Sequence, residues 1–167
     1  MAELLNEDAT GDAANPLHDI DTAVARLRAA RVAIDRLGTD TLLVGQAENF
    51  IAGRSDLADT LTRLQAYSQA GADVLYAPGI RTREEIATVV AAVAPKPVNL
   101  LIGSASELTM QDIAALGVRR VSVGGALARS AWGGFMRAAR CIAEQGRFDG
   151  FANAASGAEL SALFRAS

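Results

Sequence analysis

The sequence predicts an α/β fold built on a parallel sheet. Short apolar runs alternate with amphipathic helical patterns along the whole chain, and a helix followed by glycine and an apolar run recurs at Gly38, Gly71 and Gly117. The apolar runs have no polar face, which is typical of parallel strands that helices cover. Four strands are clear and a fifth is expected over residues 2–6. This number fits either a small open sheet or part of an eight-stranded barrel.

Apolar spacing and capping residues predict the first three helices. Apolar side chains that recur at intervals of three and four residues predict a helix over 21–37. Ser55 is the expected N-cap of the second helix, which should end near residue 70. Thr82 and Glu85 have the spacing of a capping box and open the third helix, which should extend to about residue 93.

Three more helices are predicted in the second half of the chain. Thr109 and Asp112 resemble a capping box and should open a short helix. A long helix is expected over 126–145, with its aromatic residues as packing residues. A terminal helix is expected over 156–167. The intervening strands are predicted at 41–44, 73–76, 98–102 and 120–123.

Length and composition restrict the class of protein. The chain has 167 residues, of which 50% are hydrophobic and 5% are aromatic, so it is long enough for a single domain over 1–167 with an aliphatic core. Its 16 Lys and Arg against 19 Asp and Glu argue against a nucleic-acid partner. Cys141 is the one cysteine, which excludes an internal disulfide. Without a membrane-length apolar run or a basic leader, we expect a cytoplasmic protein.

The candidate site residues follow predicted strands, because ligands of parallel α/β folds bind at the carboxyl ends of the strands. Glu7 and Asp8 would suit Mg²⁺ held through waters, or would be an acidic entry to a helix. Glu48 and Asn49 could bind a polar substrate, while Asn49 could equally satisfy loop backbone groups. Asn99 is polar within an apolar strand, so it is either a structural hydrogen-bonding residue or a pocket residue.

These residues belong to stretches that resemble the phosphoenolpyruvate mutase/isocitrate lyase superfamily. The matching stretches are EDATG at 7–11, AENFIAG at 47–53, LQAY through GAD at 64–73, KPVN at 96–99 and LGVRRVS at 116–122. The resemblance extends from about Glu7 to Phe164. It implies a partial (β/α)8 TIM-type barrel made of the five C-terminal βα units. Members are homo-oligomers that use Mg²⁺ and an enolate-like intermediate on small 2-oxo or 2-hydroxy acids.

The resemblance also assigns site residues and shows departures. Glu7 would contact Mg²⁺ through water in an incomplete metal site, because the aspartates that hold the metal belong to units absent from this sequence. Glu48, Asn49 and Asn99 would line the substrate pocket. Gln46 stands where the family has an arginine that clamps the substrate carboxylate or phosphonate, and it offers a neutral amide in place of a bidentate cation.

The expected function is Mg²⁺-dependent formation or cleavage of a C–C or P–C bond in a small oxo acid or phosphonate. Residues 9–18 occupy the place of the active-site loop but lack the lysine and cysteine of the lyases. With the metal site incomplete, we expect the chain alone to be weak or inactive. The alternative is a non-catalytic protein that pairs with itself or with a full-length relative. Neither hypothesis requires a nucleic acid or a membrane.

Overall fold

A computed structural model describes residues 2–165 of the chain, and it confirms the predicted α/β class. The strands are β1 (Glu3–Glu7), β2 (Leu42–Gln46), β3 (Val74–Tyr76), β4 (Val98–Leu101) and β5 (Arg120–Ser122). The helices are α1 (Ile20–Leu37), α2 (Leu57–Gln69), α3 (Arg83–Val93), α4 (Met110–Ala115), α5 (Ala126–Gln145) and α6 (Gly157–Arg165), with a 3₁₀ turn at Asp149–Phe151. The fifth strand expected at the amino terminus is β1.

The chain divides into two compact units, Met1–Val123 and Gly124–Ser167, where the sequence predicts a single domain. The first unit contains the whole sheet and helices α1 to α4. The second contains α5, the 3₁₀ turn and α6. Among residues 2–165, no helix is both long and apolar enough to cross a membrane.

The five strands are parallel and pair strictly in chain order, from β1 to β5. Their side chains alternate between two faces. Leu43, Leu75 and Leu100 point to the face that α1, α2 and α3 cover, and they belong to the main core. Val44 and Val74 belong to a separate, smaller cluster on the opposite face. We call this second face the inner face.

The sheet is curled, although its first and last strands are not hydrogen-bonded to each other. Glu3 of β1 and Arg120 of β5 lie on opposite edges of the sheet, yet their side chains form an ion pair at 2.5 Å. A flat sheet would keep these strands about 19 Å apart, because neighbouring strands are spaced by about 4.8 Å. The curl is the geometry expected of part of a barrel.

Close contact between β2 and α2 depends on a glycine. A Cβ atom added to Gly45 would lie 2.9 Å from the Cβ of Tyr67 and 3.1 Å from the Cβ of Ala72. These distances are shorter than van der Waals contact, so only glycine allows the helix to approach the strand this closely. Gly45 thereby permits Tyr67 to reach across the end of the sheet.

Both capping boxes predicted in the first unit are confirmed. The Thr82 hydroxyl accepts from the backbone N–H of Glu85, whose carboxylate accepts from the N–H of Thr82 in return. Thr109 and Asp112 make the same reciprocal pair. Asp112 therefore takes the place of the longer Glu in this capping box.

The N-cap predicted for α2 is wrong by one residue. Asp56, and not Ser55, accepts a hydrogen bond from the backbone N–H of Asp59, at 3.0 Å, and the helix begins at Leu57. Both residues have side chains suited to capping, so composition alone does not separate them.

The second unit differs from the sequence expectation at its aromatic residues. Trp132 and Phe135 make an edge-to-face contact with their centroids 5.4 Å apart, but each is more than 60% exposed. No residue of α5 is buried. The prediction of packing residues on this helix is therefore wrong for the described residues. A capping box precedes α6, with Ser156 and Glu159 exchanging hydrogen bonds of 2.7 and 3.2 Å. Residues 166 and 167 of the predicted terminal helix lie outside the described residues.

Candidate functional site

One polar residue from each of the five strands lies in a continuous row on the inner face. Strand register pairs each member with the next, so all five side chains point to the same side of the sheet. The members of this inner polar row are Glu7, Gln46, Tyr76, Asn99 and Arg120. The sequence assigned a role to three of them, Glu7, Gln46 and Asn99, and assigned no role to Tyr76 or Arg120. Alternation within each strand would have found both, had the register been known.

From β1 to β5, the members of the row shift from the carboxyl ends of the strands toward their amino ends. Glu7, Gln46 and Tyr76 are the last residues of their strands, whereas Asn99 is the second residue of β4 and Arg120 the first residue of β5. This shift is the stagger expected of tilted strands in a barrel. Glu7, Gln46 and Tyr76 therefore lie at the carboxyl ends of their strands, where ligands of parallel α/β folds bind.

Tyr76 and Asn99 meet a third polar residue at the end of β5. Asn99 is fully buried, and its Nδ2 donates to the hydroxyl of Ser122 at 3.0 Å. Burial raises the pKa of the Tyr76 hydroxyl, while its hydrogen bond with Ser122 opposes the change and the charge of Glu48 adds to it. Tyr76 is therefore a neutral hydroxyl at physiological pH, able to donate a hydrogen bond.

Gln46 and Glu48 are hydrogen-bonded to each other at the end of β2. The Nε2 of Gln46 donates to Oε1 of Glu48, and both side chains are buried. Burial raises the pKa of Glu48 and the hydrogen bond from Gln46 lowers it, but the neighbouring carboxylates of Glu7 and Asp8 raise it further. The net direction is upward, so Glu48 retains a proton more readily than an ordinary glutamate.

We expect Glu48→Gln to stabilise the protein more at pH 7 than at pH 4. The folded state binds the Glu48 proton more tightly than the unfolded chain does. Stability contributed by this group is therefore complete below its ordinary pKa of 4.5 and declines as the pH rises through the raised value. Urea denaturation at both pH values measures the difference, with the exposed Glu107→Gln as control. An equal effect of Glu48→Gln at the two pH values would contradict the expectation.

A buried carboxylate next to the row holds three elements together. Asp8 is 1% exposed. Its Oδ2 accepts from the Arg63 guanidinium at 3.0 Å and from the Tyr67 hydroxyl at 2.5 Å, and its Oδ1 accepts from the backbone N–H of Glu48 at 2.8 Å. Burial raises the pKa of Tyr67, and the bond to Asp8 reinforces the shift, so the phenol remains a donor. Asp8 thereby fixes the position of the loop that carries Glu48.

Arg63 and Tyr67 were not predicted as residues of this region. They lie on α2, 55 and 59 residues beyond Asp8, and helical spacing alone places Tyr67 in the core. Arg63 also donates to the backbone carbonyl of His18 at 2.8 Å. The sequence did contain a signal. Arg63 lies one helical turn before Tyr67, and a buried arginine needs an acidic partner.

Asn49 is fully buried, and its side chain is hydrogen-bonded to a residue of α2. Its Nδ2 donates to Oδ2 of Asp59 at 2.6 Å, which also accepts from Arg63 at 2.8 Å. Although burial acts to raise the pKa of Asp59, these two hydrogen bonds outweigh it and the pKa is lowered. A cavity beside these three residues is also lined by Arg54, Ser55 and Asp56. The observed hydrogen bond of Asn49 is to a side chain and not to the loop backbone.

Residues 9–18 form a loop that returns to the end of β1. The backbone N–H of His18 donates to the carbonyl of Asp8 at 2.8 Å, and Ala9 forms an isolated antiparallel bridge with Leu17. The ring of His18 contacts Arg26, with 2.7 Å between Nε2 and Nη1. The loop is thus anchored at both ends beside Asp8.

The described residues do not fit a site that binds Mg²⁺ directly through several carboxylates. Within residues 2–165, no group of three or more His, Cys, Asp or Glu side chains is arranged to hold a metal ion. The oxygens of Asp8 accept three hydrogen bonds, and Glu48 is bonded to Gln46. Glu7 is exposed at the end of β1.

Residues 4–143 match the sequence pattern of phosphoenolpyruvate phosphomutase. The chain belongs to the phosphoenolpyruvate phosphomutase family. This membership covers nearly the whole sheet and most of α5, and it confirms the resemblance to the wider phosphoenolpyruvate mutase/isocitrate lyase superfamily.

Solved structures agree with the family assignment. A Burkholderia cenocepacia J2315 protein, provisionally assigned as a lyase/mutase, is 46% identical and superposes with a TM-score of 0.92 over 98% of this family member. The chain spans 59% of that protein's length. Another superfamily member, 2,3-dimethylmalate lyase, has a TM-score of 0.80 over 98% of the chain and 56% of its own. Because the two sequences are only 24% identical, this likeness is evidence for a shared fold and not for a shared activity.

Part of the chain is similar in sequence to a known enzyme. Oxaloacetate decarboxylase from Paraburkholderia xenovorans (strain LB400) is 36% identical over 105 residues, which are 63% of this family member and 32% of the decarboxylase. The chain therefore spans about a third of the decarboxylase. The superfamily comprises lyases and mutases. Oxaloacetate acetylhydrolase shares the fold, with 24% identity and a TM-score of 0.77.

Proposed function

We propose that the chain binds a small 2-oxo or 2-hydroxy acid, or a phosphonate, at the carboxyl-terminal end of the inner polar row. There it would take part in forming or breaking a C–C or P–C bond through an enolate-like intermediate. One observation carries the proposal: every strand contributes a polar side chain to a single row on the inner face of the sheet. Membership in a family of lyases and mutases supports it.

The side chains of the site suit different parts of such a reaction. Gln46 and Asn99 would orient the substrate by hydrogen bonds, and Asn49 would support the loop that borders it. The neutral hydroxyl of Tyr76 would donate to the oxygen on which enolate charge develops. Glu48 retains its proton readily because its pKa is raised, so it is suited to return a proton to carbon after bond cleavage.

The metal requirement of the family leads to a separate proposal. Glu7 is the residue we propose as a contact to metal-bound water, and the described residues supply no cluster of direct ligands. A bound Mg²⁺ would neutralise charge that develops on the substrate oxygen. We therefore propose that the 167-residue chain binds oxo acids but does not turn them over by itself.

We expect the 167-residue chain to bind pyruvate and related small oxo acids and to release no pyruvate from oxaloacetate above a protein-free blank. Ligand-detected NMR measures binding, and a coupled assay with and without Mg²⁺ measures turnover. Glu7→Gln tests the metal contact, with the exposed Glu107→Gln as control. Failure of every oxo acid to bind would overturn the proposed function. Mg²⁺-dependent turnover that Glu7→Gln abolishes would overturn the proposed inactivity.

A second candidate function is a non-catalytic chain that pairs with itself or with a full-length relative. It is favoured by the free edge of β1, where Leu4 and Leu5 are more than 40% exposed. An exposed apolar edge strand is a template for pairing with another chain. A dimer in light scattering that is inert to both Mg²⁺ and oxo acids would favour this function over catalysis.

A further inference from the structure

Two buried carbonyl oxygens on the inner face have no hydrogen-bond partner among the described residues. They are Oε1 of Gln46 and Oδ1 of Asn99, and a third such oxygen, Oδ1 of Asn49, belongs to the loop after β2. Gln46 is 5% exposed and Asn99 is fully buried, so surrounding solvent does not explain how these oxygens are satisfied. Buried polar atoms in folded proteins nearly always have partners. Each amide donates one N–H within the protein, to Glu48 and Ser122 respectively, and leaves its carbonyl oxygen as an unpaired acceptor.

The two oxygens belong to one stretch of the site. Gln46 is in register with Tyr76, and Tyr76 is in register with Asn99. The two acceptors therefore lie on the same face of β2 and β4, on either side of Tyr76 on β3. The backbones of β2 and β4 are about 10 Å apart. A ligand group at Tyr76 would therefore lie between the two acceptors.

The charges around Gln46 favour a ligand group that donates hydrogen bonds. Glu7 is its register partner on β1, and the carboxyl group of Glu48 is its hydrogen-bond partner. The cations of this region are already paired, Arg120 with Glu3 and Arg63 with Asp8 and Asp59. A second carboxylate of a ligand would meet carbonyl oxygens and acidic side chains at Gln46, and both repel it.

We propose that Gln46 and Asn99 form an acceptor subsite that selects a ligand group carrying O–H or N–H donors. This inference rests on the proposed function, because it assigns the substrate class of the same site. The substrate is then an oxo acid with a hydroxyl or amino substituent away from its oxo-acid end, and a dicarboxylic oxo acid is disfavoured. The subsite determines specificity and takes no part in bond cleavage.

Two nearly isosteric oxo acids test this inference. 3-Hydroxypyruvate and 2-oxobutyrate share the oxo-acid end and differ only by a hydroxyl in place of a methyl group. We expect the wild-type chain to bind 3-hydroxypyruvate about tenfold more tightly, because the methyl group leaves a buried acceptor unsatisfied. 3-Aminopyruvate distinguishes an ammonium from a hydroxyl donor, and oxaloacetate supplies the second carboxylate.

Two variants assign the selectivity to these side chains. Gln46→Met and Asn99→Leu remove the acceptors with little change of volume, and at least one should reduce the preference to about twofold or less. Gln65→Met on the exposed face of α2 is the matched control and should keep the wild-type ratio. Circular dichroism verifies the fold of each variant, and the wild-type ratio tests the inference even if a variant fails to fold.

Each remaining result has a definite meaning. Equal wild-type affinities for 3-hydroxypyruvate and 2-oxobutyrate overturn the inference and leave the proposed function in place. A preference for oxaloacetate over 3-hydroxypyruvate also overturns it, since the site would then bind an anion. Selectivity that survives in both folded variants overturns the assignment to Gln46 and Asn99. Failure to bind any of these acids overturns the inference and the proposed function together.

Discussion

Asp8→Ala is expected to lower the free energy of unfolding by about 3–5 kcal/mol, the usual effect of removing one partner of a buried ion pair. Asp8 is 1% exposed and Arg63 is 6% exposed, so the variant removes the more buried of the two carboxylates that pair with the Arg63 guanidinium and leaves only Asp59 to balance its charge. The hydroxyl of Tyr67 and the backbone N–H of Glu48 lose their acceptor at the same time. Urea denaturation monitored by circular dichroism measures the loss.

A surface ion pair supplies the control for this experiment. Asp35 pairs with Arg31 one turn away on α1, and its side chain is 63% exposed. Asp35→Ala should change stability by only about 0.5 kcal/mol. If Asp8→Ala does not fold, Tyr67→Phe removes one hydrogen bond to the same carboxylate and should cost about 1.5–3 kcal/mol. An Asp8→Ala variant as stable as Asp35→Ala would contradict the buried network.

Leu75→Ala is expected to lower the free energy of unfolding by about 2–5 kcal/mol, because it leaves a cavity in the centre of the main core. Leu75 is fully buried on the middle strand, between the sheet and its helices. Leu5→Ala on the edge strand is the matched control, since Leu5 is 44% exposed and should cost about 1 kcal/mol or less. Chemical denaturation of both variants under identical conditions provides the comparison.

The two leucines differ only in where the sheet places them, so their difference tests the architecture. An equal loss of stability in Leu5→Ala and Leu75→Ala would contradict the description of β1 as an uncovered edge. It would mean that another segment or chain covers β1 in solution. A small effect of Leu75→Ala would contradict the position of the main core.

Local features of the sequence were sufficient to predict most of the fold. The capping boxes at Thr82 and Thr109 act over three residues, so their hydrogen bonds can be anticipated from the sequence alone. The parallel order of the strands follows from their alternation with helices. The exposure of the aromatic residues of α5 could not be predicted. An amphipathic pattern shows that one face of a helix is apolar, but it does not show whether another segment covers that face.

The candidate site was only partly predictable because its contacts join distant parts of the chain. Asn99 could be singled out from its neighbours in the sequence, since a polar amide within an apolar strand needs hydrogen-bond partners if it is buried. The role of Asp8 could not be inferred, because its partners Arg63 and Tyr67 lie more than 50 residues away on a helix. Likewise, the strand register that aligns Tyr76 with Gln46 depends on tertiary packing.

The ion pair between Glu3 and Arg120 has a consequence for the order of folding. Each pair of neighbouring strands is also consecutive in the chain, so the sheet can grow by adding one βα unit at a time. The ion pair instead joins residues 117 positions apart, which makes it one of the least local contacts and one that forms late. It is also partly exposed and contributes little energy. We therefore expect strand stagger to set the curl before this ion pair forms.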